Sequence, residues 1–342
     1  MADTRTDWEY CQAILPGVSR TFALNIVQLE GNIHKAILLG YLFFRIADTF
    51  EDDALQNEAQ KIEALHSYAG VFRGNQTLRE RLEIYQSLEF SWLAASPAKE
   101  LVENGDRVIR CYFQLPDAYR EIIDPHIART SEGMAKFQER KLQSAGVFQL
   151  QDLAEMEDYC YQVAGIVGEM LTRLFCLEEK VSPFKSELEK YQTRFGLALQ
   201  VTNIVKNYPE DIARGWCYVP ASITGKYAFH PEREASLPVI PKEFLDELTP
   251  TILSYFDSTL KYIKSIPESE KPIRMFCLIA FVLAYNTLLH LIRTRNAKLS
   301  QDQVATLLAR CASFAGSNDL LEKDYREVYR QLRASLPPNT YE

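Results

Sequence analysis

A chain of 342 residues, 47% hydrophobic and 25% charged, carries enough apolar material to bury a substantial core, which excludes disorder as its main state. A formal charge of -8 argues against a nucleic-acid backbone as partner, which would call for clustered Lys and Arg, and suits a protein that gathers cations. The seven cysteines are scattered without zinc-type spacing and read as reduced, mostly buried thiols of a cytosolic protein.

Apolar residues recur at spacings of three and four nearly throughout, and only 14 Gly and 15 Pro punctuate them. With no repeat and no linker-like tract, one all-α domain over 1–342 is expected. Helices are expected over 7–14, ending before Pro16 and Gly17, over 19–27, and from Ile33 to Asp48 or a few residues beyond. They continue over 56–72, 76–93, 97–113 and 116–142, the last softened at Ser131-Glu132-Gly133. A loop then a helix fill 149–179, a long helix covers 184–213, and Pro220, Pro231, Pro238 and Pro241 mark an irregular stretch. Helices resume over 242–265, 272–295, 300–315 and 319–335. The most apolar window, 276–292, holds Asn286 and His290 and falls short of the roughly 20 residues needed to span a bilayer, so it reads as a core helix. Neither end of the chain shows a signal core or an anchor, so a soluble or membrane-peripheral cytoplasmic protein is expected.

The third helix carries the first candidate site. Its apolar run ends in four acids within six positions, and on a helix Asp48 and Asp52 share a face with Tyr41 and Arg45. Two carboxylates at that spacing suit Mg2+, which takes one or two protein carboxylates and completes its shell with phosphate oxygens and water. The plainer alternative is a helix end whose acids face solvent. A second polar stripe, Gln200, Asn203, Asn207 and Asp211, lies along an otherwise apolar helix. Because buried unpaired amides cost about 1–3 kcal/mol each, that stripe should line something wet or polar unless it is simply a surface. Between them, Ala164, Gly165 and Gly168 leave a helix strip without bulk, as a tight helix crossing would require.

Four stretches in order, Val18 to Phe22, Asp48 to Asp52, Tyr159 to Gly168 and Leu199 to Asp211, followed by Trp216-Cys217-Tyr218-Val219-Pro220, resemble the squalene/phytoene synthase family, more closely its squalene branch. Phe276-Cys277-Leu278 adds a weaker likeness to that branch. The resemblance implies an isoprenoid-synthase-type helical bundle around a central apolar cavity, with two acidic clusters facing each other. It implies head-to-head condensation of two prenyl diphosphates, farnesyl diphosphate first among them, through a cyclopropyl diphosphate. Mg2+ would be the cofactor, and NADPH the hydride donor if squalene is the product. It implies Asp48, Asp52, Asp211 and Asn207 as metal ligands and Tyr159 beside the departing group. Ser19, Arg20, Tyr41, Arg45, Gln200, Asn203, Lys206, Asn207 and Tyr218 would surround substrate, with transient membrane contact for product release.

The chain departs from the family pattern on its second wall. Asn207 stands where an Asp is usual, Lys206 where an Arg is, and Trp216 where a basic residue is, leaving Arg214 as the nearest cation. Asn offers a carbonyl oxygen but no charge, so metal held there would be held weakly. These departures motivate an alternative in which one prenyl diphosphate ionises and its cation meets an aromatic ring, water or its own distal alkene. An inactive scaffold is the third reading, opposed by Asp48, Asp52, Tyr159 and Asp211.

Overall fold

Side chains that accept a first-turn N–H explain where many helices begin: Thr6, Asn57, Thr77, Ser96, Asp152, Ser300 and Ser317 each cap the helix that follows. The computed structural model describes residues 6–19, 21–52, 57–90, 93–231 and 237–337, and they fall into two compact units.

The first unit comprises the described residues of Met1–Gln143, with Arg173–Phe175. It holds α1 (Asp7–Val18), α2 (Phe22–Ile26), α3 (Gly31–Asp52), α4 (Glu58–Val71), α5 (Leu78–Gln86), α6 (Pro97–Glu103), α7 (Gly105–Tyr112) and α8 (Asp117–Leu142). Helix α3 is its axis, packed by α1, α4, α6, α7 and α8. Leu42, Phe43, Ile46, Ala47 and Phe50 of α3 are buried, and Tyr68 of α4 donates from its hydroxyl to the Phe43 carbonyl at 2.9 Å. Buried Arg81 is paired through both terminal nitrogens with Asp124, at 2.7 and 2.8 Å, which ties α5 to α8.

The second unit comprises Ser144–Thr172 and the described residues of Cys176–Glu342. Its elements are β1 (Phe148–Gln149), α9 (Leu153–Cys160), a π-helical turn (Tyr161–Gly165), α10 (Ile166–Phe175, apart from its last three residues), α11 (Lys185–Glu189), α12 (Gln192–Lys206), α13 (Tyr208–Ala213), β2 (Trp216–Cys217), α14 (Ala221–Thr224), α15 (Lys242–Ser265), α16 (Lys271–Thr294), α17 (Gln301–Phe314) and α18 (Asn318–Ala334). Helix α12 is central, against α9, the π turn, α15 and α16. Helix α16 is long and apolar enough to cross a membrane, but 67% of its most apolar window is buried. Buried Arg274 on α16 donates to Ile263, Ile266, Phe314 and Ala315 carbonyls, closing the C-terminal ends of α15 and α17.

The all-α expectation holds, and the differences lie in helix ends. Helix α1 continues through Pro16, which costs a backbone bond, and closes with the Ser19 N–H on the Leu15 carbonyl at 2.9 Å. The helix expected over 19–27 is confined to α2, and that over 76–93 to α5. The one expected over 97–113 breaks at Asn104 into α6 and α7. Helix α8 passes through Ser131 and Gly133 without interruption. The long helix expected over 184–213 is three, α11, α12 and α13, because Pro209 withholds an N–H and Asn207 leaves helical geometry. The unforeseen ladder of β1 and β2 is only two residues long, pairing Phe148 with Trp216 and Gln149 with Cys217 in parallel. All seven cysteines are free, and six of them are buried.

Candidate active site

In the first unit the candidate residues lie at the C-terminal end of α3 and the turn before α2. Asp48 and Asp52 fall one helical turn apart, as the spacing requires. A guanidinium nitrogen of Arg45 stands 3.8 Å from the Asp48 carboxylate. Crowding around Asp48 pushes its pKa up to about 7, with Arg45 opposing the shift and Asp52 adding to it. Its side chain nevertheless keeps 41% of its surface accessible, so water offsets part of that desolvation. Asp52 is exposed at the last position of α3. Arg45 Nε is buried and has no hydrogen-bond partner among the described residues. A buried, unused donor on the guanidinium that stands beside Asp48 is one an oxyanion ligand would satisfy.

The rest of this wall is more committed to the fold. The Tyr41 hydroxyl donates to the Val18 carbonyl at 3.2 Å, its ring lies 5.6 Å from Phe22, and burial raises its pKa. Ser19 is buried and its hydroxyl accepts the Ala23 N–H at 3.3 Å, steadying the turn into α2. Arg20 lies outside the described residues. Lys61, which sequence reasoning missed, reaches from α4 to the Glu51 carbonyl at 2.8 Å. Burial lowers its pKa, yet the buried ammonium fixes the end of α3 that presents Asp52.

In the second unit, Gln200, Asn203, Lys206 and Asn207 are each half-buried. The Lys206 ammonium donates to Asn203 Oδ1 at 3.1 Å, and burial lowers its pKa while Glu210 and Asp211 oppose that shift. Asp211 is buried and accepts from Arg214 at 2.6 Å. The Asp211 N–H bonds the Asn207 carbonyl at 3.0 Å across the break, so the stripe stays in register despite Pro209.

The strip of small residues is a helix crossing. A Cβ on Gly168 would stand 2.3 Å from the Gln192 carbonyl oxygen, and one on Gly196 would stand 2.2 Å from that of Ala164. Gly196 is the partner the sequence reading missed. The π turn begins two residues after Tyr159, and such turns recur at functional sites. Tyr159 and Tyr218 are buried with ring centroids 4.4 Å apart and nearly parallel, and the Tyr159 hydroxyl donates to that of Tyr218 at 3.0 Å. Trp216 also stacks on Tyr218 with centroids 5.3 Å apart, and Phe148 meets Trp216 edge-on at 5.1 Å.

Among the described residues no group of three or more His, Cys, Asp or Glu side chains is placed to hold a metal ion. Two carboxylates one helical turn apart, Asp48 and Asp52, are of the chemical type Mg2+ takes when diphosphate and water supply its other ligands.

The squalene/phytoene synthase family profile matches residues 15–310. Similar curated proteins include squalene synthase of Dictyostelium discoideum, 29% identical over 82% of this chain and 63% of that protein. Human squalene synthase is 25% identical over 96% of this chain and 76% of that protein. The chain thus spans under two thirds of the length of the Dictyostelium protein. Among solved structures, TcSQS in complex with a ligand superposes with TM-score 0.78 at 23% identity, over 97% of this chain and 93% of that one. A dehydrosqualene synthase in complex with ligand gives TM-score 0.62 at 18% identity, over 90% and 96%. These two likenesses concern the fold.

Proposed function

The chain belongs to the squalene/phytoene synthase family, a family of prenyl transferases, and from that premise we propose that it condenses two prenyl diphosphates head to head, farnesyl diphosphate being the substrate. The observation that carries the reading is the end of α3, where Asp48 and Asp52 share one face with Arg45 and its unused Nε donor.

Bound Mg2+ would supply positive charge to the diphosphate as it leaves. Asp48 and Asp52 would hold the ion, and Arg45 would donate to the departing oxygens, each interaction growing as negative charge gathers there. Gln200, Asn203 and Lys206 would orient a diphosphate on the second wall, and Tyr159, held against Tyr218, would serve the leaving group with its hydroxyl. Water would have to be kept from the allylic cation until an alkene reaches it. If squalene is the product, its formation would draw a hydride from NADPH. Product release from such a site calls for brief contact with a membrane surface.

A second reading keeps the α3 chemistry and alters the acceptor. Asn207 carries no charge and Asp211 is already paired with Arg214, so the second wall offers less to a metal-bound diphosphate. In that case the cation from one substrate meets a small aromatic acceptor, water or its own distal alkene. Incubating the protein with farnesyl diphosphate and Mg2+, with and without NADPH, separates the readings. A C30 hydrocarbon supports condensation, a prenol, cyclic C15 product or prenylated ring supports the second, and no turnover with any prenyl chain length sinks both.

A further inference from the structure

The position where the family usually carries a basic residue is filled here by an aromatic one, and the structure shows what that residue does instead. Trp216 is 4% exposed. One face of its ring lies against Tyr218, at 16° between planes, while Phe148 meets it at 76° across the β1–β2 ladder. Enclosed in this way, the ring is not available to a charged ligand, and a cation in its place would be buried against Phe148. Tyr218 in turn stacks on both Trp216 and Tyr159, at 22° to the latter. The hydroxyl contact at 3.0 Å then fixes where the Tyr159 oxygen points. Three rings with two side-chain torsions each, stacked without slack, make a stiff mount for one hydroxyl.

We propose that Trp216 is a positioning residue that acts through Tyr218 to hold the Tyr159 hydroxyl in its working orientation. The proposal rests on the reading of Tyr159 given above. It also gives Phe148 a part, since the two-residue ladder sets its ring edge-on against Trp216.

The test uses the full chain with Trp216→Leu, Trp216→Phe and Trp216→Arg, and two readouts. Steady-state kinetics with farnesyl diphosphate and Mg2+ should show Trp216→Leu losing about 10- to 100-fold in kcat at little change in KM, as a displaced functional group does. Trp216→Phe should recover most of the loss. Independently of turnover, fluorine NMR of a fluorotyrosine placed at position 159 should show its resonance shifted and broadened in Trp216→Leu and restored in Trp216→Phe. Should Trp216→Leu not fold, Trp216→Met refills the space without a ring and takes its place. Wild-type kcat together with an unmoved resonance in the ring-less variant overturns the proposal. So does Trp216→Arg with tighter substrate binding and full kcat, which would make the position a diphosphate contact. If the wild-type chain transfers no prenyl group, the proposed function falls, while the fluorine signal still decides whether Trp216 controls Tyr159.

Discussion

Gly196→Ala offers the clearest link between fold and site. Elsewhere in a helix interior this change would stabilise by about 0.8–1 kcal/mol through helix propensity. Here the added methyl would stand 2.2 Å from the Ala164 carbonyl oxygen, 2.6 Å from its carbon and 2.9 Å from the Gly165 nitrogen. All three are backbone atoms, so no flexible side chain can yield, and reaching ordinary contact requires the π turn and α12 to separate by about 1 Å. Overpacking of this kind costs about 1–3 kcal/mol, and a backbone clash belongs at the upper end. After the propensity gain, a net loss of about 1–2 kcal/mol in unfolding free energy is expected. The same separation moves Tyr159 relative to Gln200 and Asn203, for which a fall in kcat of about 10²-fold is expected. Denaturant unfolding and steady-state kinetics measure the two effects, with Gly70→Ala as the control because nothing lies within 4 Å of a methyl there. If Gly196→Ala matches Gly70→Ala in stability and turnover, the crossing does not position the site.

Lys61→Met removes the donor that closes α3 and leaves the longer bond from Gln138, at 3.4 Å, on the Glu51 carbonyl. Stability should fall by about 1–3 kcal/mol in denaturant unfolding, and the Mg2+ concentration for half-maximal activity should rise as the Asp52 turn loosens. Asn207→Asp should preserve or raise formation of the C30 product if condensation is the native reaction, and should impair the native product if the acceptor carries no diphosphate; product analysis distinguishes the two. For pH, Arg110 first and then Arg107 hold the Asp7 carboxyl below its ordinary value of 3.8. A depressed folded-state pKa gives stability that is present above 3.8 and lost as the pH falls below it, so Asp7→Asn should flatten that part of the acid-unfolding curve.

Much of this was legible in the sequence because helical periodicity is a local property. The face shared by Asp48 and Asp52 follows from 3.6 residues per turn, and α3 needed only its length to be confirmed. The stripe from Gln200 to Asp211 was legible for the same reason, although Pro209 divides the helix beneath it. What escaped depends on contacts between distant segments. Gly196 is one small residue until Ala164 is seen against it. Lys61 is one basic residue on α4 until the end of α3 is placed beside it. Trp216 reads as a lost cation until Phe148, nearly 70 residues earlier, is found paired with it. Helix ends were missed where a single Pro or Asn decides between continuing and breaking, as at Pro16 and Asn104, since packing rather than propensity settles those cases.

The central claim is that the end of α3 holds a metal-bound diphosphate. Crystals grown with a non-hydrolysable prenyl diphosphate analogue, with Mn2+ in place of Mg2+, test it through the anomalous signal of the metal. Manganese at coordination distance from the Asp48 and Asp52 carboxylates, with Arg45 Nε donating to a diphosphate oxygen, is the expected result. A bound analogue whose diphosphate and metal lie away from both carboxylates would contradict the account.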